Sequence, residues 1–210
     1  MKEAIAECEK DGNDAPHFAA WDSGQIGKLL EPMGPLTFDE AYESYKTACV
    51  AAEKAGADLA VIETMSDLYE VKAAVLAIKE NTNLPVVASM TFQENLRTLT
   101  GADVLTVVTY LEALGVNAIG FNCGGSLADA VELTKQFVSY AHIPVLAQPN
   151  AGLPVVENGR TFFKVAPQEF AECQAVNRKA GLTRSERNLL IGWMVTGRGG
   201  RNMCHIMLME

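Results

Sequence analysis

Four nearly continuous apolar runs recur along the chain at intervals that leave few folds open. Residues 58–63 (DLAVIE), 84–91 (LPVVASMT), 116–122 (VNAIGFN) and 143–149 (IPVLAQP) start 26, 32 and 27 residues apart. Apolar residues on both alternations suit strands buried on both faces, as in a parallel sheet. Residues 17–22 (HFAAWD) are a further strand candidate. The stretches between read as amphipathic helices. Thr37-Phe38-Asp39-Glu40 is a capping box opening a helix to about Ala55, which Gly56 stops. Ser66 is positioned to cap 67–80, where Leu68, Val71, Val75 and Ile78 make one apolar stripe. A third helix over 103–114 ends at Gly115, Ser126 caps 127–140, and Pro167 suits the first turn of a helix starting near Gln168.

This is the spacing of successive βα units, and it leaves a doubly wound sheet or a (β/α)8 barrel. No G-x-G-x-x-G follows a strand, which weighs against a dinucleotide-binding fold. A polar residue recurs at each strand's C-terminal end: Glu63, Ser89 with Thr91, Asn122 with Cys123, and Gln148 with Asn150. In barrels that edge carries the chemistry.

Of the 210 residues, 49% are hydrophobic, enough for a sizeable core, and the net charge is −9. An acidic chain repels phosphate backbones, so no nucleic-acid partner is expected. No run of about 18 apolar residues or basic amphipathic helix points to a membrane. The first 17 residues are charged, without the apolar core of a secretory signal. The five cysteines (Cys8, Cys49, Cys123, Cys173 and Cys204) are scattered, which argues against a disulfide framework and for a reducing cytoplasm. Composition breaks near residue 171. Residues 1–170 hold eleven Lys and Arg against 23 Asp and Glu, whereas 171–210 hold six against three, with a GRGGR run. Residues 171–210 therefore read as a divergent tail, either out of frame or disordered, with a natural βα continuation as the other reading.

GKLLEPMGPLTFDEAYE, VIETMSDLYEVKAA, PVVASMTFQEN with RTLTG, AIGFNC and IPVLAQPNAGLPVVENGRT together resemble the homocysteine S-methyltransferase family, and most of all its methionine synthase branch. The resemblance covers about residues 17–172. It implies a (β/α)8 barrel and a zinc ion held by three cysteine thiolates. Zinc would keep homocysteine's sulfur as a thiolate, since a free thiol is mostly protonated at neutral pH. In the methionine synthase branch the methyl donor is methylcobalamin, carried and reloaded by separate cobalamin- and folate-binding modules.

Residue by residue, Cys123 matches the first zinc cysteine, at the tip of the family's sixth strand. The family's other two cysteines stand together in Gly-Gly-Cys-Cys-Gly on the eighth strand, and this chain has no Cys-Cys pair. Cys173 falls on a helix expected to pack outside the barrel, and Cys204 follows a glycine-arginine stretch unlike the motif. Glu63 matches the acid that holds the homocysteine ammonium, and Asn150 matches a side chain that fills the open zinc position. Ser89 and Thr91 are candidates for hydrogen bonds to substrate. Asp22 lies at a strand tip, where it either lines the site or caps a loop. Arg97 and Thr98 resemble a family loop in which Leu96 replaces a common glycine, so a left-handed backbone there would strain leucine. His17, His142 and His205 lack metal-ligand spacing, and Trp21 and Trp193 read as packing residues. No catalytic residue is assigned.

The expected fold is a partial (β/α)8 TIM-type barrel. By count of the family's strands, 3–7 are present over residues 1–170, strands 1–2 are absent, and strand 8 is absent or replaced by 188–195 (NLLIGWMV). Such an arc would leave two open parallel edges, which favours aggregation or strand borrowing. The expected function is zinc-dependent methyl transfer to homocysteine, forming methionine, impaired in this chain. The alternative is a non-catalytic fragment or partner-binding remnant. A pterin-binding barrel synthase has no motif in its favour.

Overall fold

The structure is a computed structural model and describes residues 2–10, 17–182, 189–196 and 203–208. Five parallel strands run side by side in chain order: β1 (Ala20–Ser23), β2 (Leu59–Met65), β3 (Val86–Met90), β4 (Ala118–Asn122) and β5 (Val145–Gln148). All five overlap the runs expected to form strands, with β1 one residue and β2 two residues past the expected ends. The helices α2 (Phe38–Lys54), α3 (Leu68–Asn81), α4 (Val104–Ala113) and α5 (Leu127–Tyr140) connect them, and α6 (Pro167–Leu182) follows β5. The result is a parallel α/β sheet with helical crossovers, the arrangement of part of a (β/α)8 barrel.

The helix boundaries follow local chemistry. Thr37 and Glu40 form the expected capping box on α2, and Ser126 with Asp129 forms another on α5. Asp103 caps α4. Ser66 does not cap α3. Asp67 does, accepting the Tyr69 N–H, so the helix begins one residue later than expected. Either side chain can cap a helix, and the structure selects the carboxylate.

The main core lies between sheet and helices. Ile62, Met90 and Ile119 from the strands meet Val71, Val75, Ile78, Val107, Leu111 and Phe137 from the helices. Trp21 packs against this layer, as expected of it. A second, smaller cluster of Val61, Val87, Ala118 and Leu146 fills the opposite face of the sheet, the side that faces inward in a barrel. In the register, Asp22 pairs with Val61, Val87 with Ala118, and Asn122 with Gln148, so these residues share that inner face. Gly120 is needed here, because a β-carbon would fall 1.9 Å from the Leu146 carbonyl.

Three elements within residues 1–170 were not foreseen, and neither was the last strand described. The first is α1 (Lys2–Lys10). The other two are β6 (Pro154–Glu157) and β7 (Arg160–Phe163), which form an exposed antiparallel hairpin beyond β5. Residues 188–195, the candidate replacement for the eighth strand, coincide with β8 (Leu189–Thr196), which pairs parallel to β5. A final strand, β9 (Met203–Leu208), pairs antiparallel to β8, so that side of the sheet ends in an antiparallel strand rather than the expected open parallel edge. The composition break at 170/171 falls inside α6. No described helix is long and apolar enough to cross a membrane.

Candidate functional site

The strand tips converge at the C-terminal edge of the sheet. Glu63 is 3% exposed, near the C-terminal end of β2. The pairing of β2 with β3 breaks between Ile62 and Met65. Both of those side chains belong to the helix-facing core although they are three residues apart. One extra residue is therefore accommodated between them, and Glu63 and Thr64 both fall on the rim side. Thr64 sits in the left-handed region with φ 57°, unusual for a β-branched residue.

Asn122 ends β4 and is 0% exposed. Its Oδ1 accepts the Thr64 N–H at 2.8 Å and the Ser89 hydroxyl at 2.9 Å. Its Nδ2 donates to Thr64 Oγ1 at 2.5 Å and to Cys123 Sγ at 3.6 Å. Cys123, half-buried and itself left-handed at φ 56°, donates its N–H to the Gln148 carbonyl at 3.0 Å. Burial holds the Cys123 thiol above the usual cysteine range, and the Glu63 charge adds to that. Hydrogen bonds from Thr64 and Asn122 act the other way. Gly124 follows at φ 83°, where a β-carbon would meet the Phe92 carbonyl at 2.8 Å.

The expected site residues thus fall into groups. Ser89 and Cys123 both bond Asn122, and Glu63 is buried at the tip of β2. Ser89 is 0% exposed and spends its proton on Asn122. Thr91 lines a neighbouring open cleft of about 470 Å³ with Phe92, Gln93, Asn95, Gly124 and Leu153. Asn150 is half-buried in the loop beyond β5. Asp22 is exposed at the end of β1. Leu96 is left-handed at φ 57°, the conformation in which leucine is strained. Arg97 secures that loop by donating to the Gly101 carbonyl at 2.8 Å, and buried Thr98 accepts the Ala102 N–H. Thr64 and Asn122 had no assigned role from sequence. The one signal for Asn122 is an amide closing the apolar stretch 118–121.

The three-cysteine zinc site implied by the resemblance does not fit the residues described. Among them no group of three or more His, Cys, Asp or Glu could hold a metal ion. Cys173 lies on α6, buried, with its Sγ donating to the Leu127 carbonyl at the start of α5 at 3.7 Å. Extending the β4–β5–β8 register by two residues from Ile191 brings Trp193 level with Cys123. Cys204 pairs with Val195 on the far side of β8, and its side chain lies outside the described residues. It stands three strand positions from β4, or about 14 Å of flat sheet.

A second support lies behind the rim. Glu70, 2% exposed on α3, accepts the Ile26 N–H at 2.7 Å and the Tyr45 hydroxyl at 2.9 Å. Tyr45 also reaches the Gly24 carbonyl at 3.1 Å. Burial raises both Glu70 and Tyr45 above their ordinary pKa ranges. This pair pins the loop after β1, whose Gly24 lies against the Glu63 backbone.

A parallel α/β sheet with polar residues gathered at its C-terminal edge defines a barrel-type site. Solved structures share that fold. The homocysteine methyltransferase MmuM from Escherichia coli superposes with a TM-score of 0.69 in its apo form and 0.70 in its metallated form. The identities are 19% and 18%; 91% of this chain is covered, with 62% and 61% of MmuM. A family model for homocysteine S-methyltransferase matches residues 1–195, and the chain belongs to that family. Methionine synthase of Mycobacterium tuberculosis (strain ATCC 25618 / H37Rv) is 32% identical over 179 residues, covering 82% of this chain. Methionine synthase of Mycobacterium leprae (strain TN) is 30% identical over 154 residues, covering 71%. The chain spans only 15% and 13% of the length of these two relatives.

Proposed function

We propose that this chain carries the homocysteine-recognising edge of a barrel whose reaction is methyl transfer to the homocysteine thiol, yielding methionine. In that reaction the thiol gives up its proton, the sulfur–methyl bond forms, and the donor's bond to the methyl group breaks. The observation that carries the reading is that Asn122 ties Ser89 and Cys123 together at the strand tips, with Glu63 buried at the tip of β2, in a chain that belongs to this family. Glu63 would pair with the substrate ammonium, a charge-assisted contact that gains strength away from water. Thr91 and Asn150 would border the substrate. By likeness to methionine synthases, methylcobalamin is the donor, brought by a cobalamin-binding module alongside a folate-binding one.

Because the described donor set does not suit zinc, turnover by this chain alone is expected to be low. The second reading, a non-catalytic remnant that keeps homocysteine or partner binding, draws on that same misfit. Residues 171–210 would then be a divergent, out-of-frame end, which the nucleotide sequence beyond codon 170 checks directly. Calorimetric titration with L-homocysteine tests recognition: saturable binding that Glu63→Gln weakens about tenfold or more is expected. Absence of binding in the unaltered chain would remove the proposal. One tightly held zinc per chain, with methionine formed from methylcobalamin, would instead overturn the expected impairment.

A further inference from the structure

We propose that Asn122 is the positioning residue of this site, and that it acts by gripping Thr64 in its left-handed conformation. The proposal rests on the homocysteine reading for its ligand only. Asn122 uses its whole hydrogen-bonding capacity. Both lone-pair directions of Oδ1 are taken, by Thr64 N–H and Ser89 Oγ–H, and both Nδ2 protons go to Thr64 Oγ1 and Cys123 Sγ. A carboxamide offers no more than two acceptor sites and two donors. One fully buried side chain therefore joins the tips of β2, β3 and β4.

Two of those four bonds fall on a single residue. Thr64 is held through both its backbone N–H and its hydroxyl, and it is the residue whose φ of 57° needs an outside cause. A non-glycine residue keeps such a conformation only where its surroundings over-determine it. Thr64 also follows Glu63 in the irregular turn of β2, so its backbone direction sets where the Glu63 carboxylate emerges. The same amide touches the Cys123 sulfur. Asn122 thereby fixes the two groups relative to one another without itself needing to touch substrate.

The full 210-residue chain serves for the test. Amide hydrogen exchange at Thr64 reads the grip, with Ile119, bonded to the Pro144 carbonyl, as the reference. Asn122→Ala is expected to lower Thr64 protection about tenfold while Ile119 stays within about twofold. Asn122→Asp keeps an acceptor for Thr64 N–H, so protection there should stay within about twofold of the original. This second variant decides the point if the alanine form fails to fold. L-homocysteine calorimetry reads positioning. Asn122→Ala should weaken binding about tenfold, and adding Thr64→Gly should restore it to within about threefold of Thr64→Gly alone, because glycine adopts positive φ unaided. Filling a hole left by Asn122 would not be mimicked by glycine at 64, so a purely structural role predicts no rescue. Unchanged Thr64 protection in folded Asn122→Ala, lost protection in Asn122→Asp, or failed rescue would each overturn the proposal. If the unaltered chain binds no homocysteine, the functional reading falls, and the exchange experiment still decides whether Asn122 grips Thr64.

Discussion

Behind the strands, Phe92, Phe121 and Phe137 are closed to solvent, and the Phe137 ring meets Phe92 edge-on and Phe121 at a tilt, with centroids 5.8 and 5.7 Å apart. At the tips of the same strands, Thr64, Ser89 and Cys123 are each held by polar contacts to Asn122, two of them on left-handed backbone, and Glu63 is buried next to Thr64 in the chain. The first region is redundant: each apolar side chain touches many others, and any neighbour of suitable volume serves. The second is specific, because each partner has one geometry that satisfies it. Stability should therefore respond to volume in the core and to hydrogen-bond identity at the rim.

The largest effect tests the core. Phe137→Ala removes the ring shared by both aromatic contacts and should cost about 3–5 kcal/mol, read as a lower urea midpoint with an unchanged slope. A loss below about 1 kcal/mol would mean that the layer collapses around the gap and is less closely packed than the burial indicates.

That contrast also explains what could be read from sequence. Runs such as LPVVASMT announce a doubly buried strand because burial on both faces demands apolar residues throughout, and the capping boxes at Thr37 and Ser126 carry their own side-chain chemistry. Ser66 and Asp67 both offer a capping oxygen, so sequence could not choose between them. Asn158-Gly159 is a hairpin signal, and both residues do adopt positive φ, at 50° and 74°. Thr64 gave no local sign at all. Threonine has no preference for left-handed backbone, and its conformation is imposed by an amide 58 residues away. The rim was legible as a set of polar strand ends, and its wiring was not, because the wiring is tertiary.

An intermediate effect sharpens the rim. Glu70 is buried, and its folded-state pKa is raised above the ordinary 4.5 chiefly by that burial. The folded chain thus holds this proton more tightly than the unfolded one. The stabilisation tied to it is complete below pH 4.5 and is lost as pH climbs through the raised value. Glu70→Gln keeps an oxygen for Ile26 N–H and Tyr45 Oη–H and has nothing to ionise. Across pH 4–8, the stability of Glu70→Gln relative to the unaltered chain should rise with pH through that window. A difference independent of pH would show that the carboxylate is not the origin of the slope, and would place this support nearer the core in character than the rim.

The smallest effect separates strain from packing. Leu96 is left-handed, half-buried against the main core, and donates its N–H to the Gln93 carbonyl at 2.9 Å. The left-handed conformation costs a non-glycine residue about 1–2 kcal/mol. Glycine removes that cost but adds about 0.5–1 kcal/mol of lost chain freedom on folding. Leu96→Gly should therefore leave stability level or raise it by up to about 0.5 kcal/mol, once the lost leucine contacts are included. A fall of more than about 1 kcal/mol would show that leucine's packing outweighs its backbone strain. The loop would then be held as the core is, by buried surface, whereas Thr64, with the same φ and a buried amide on both its polar groups, would remain the position where hydrogen bonds alone sustain the strain.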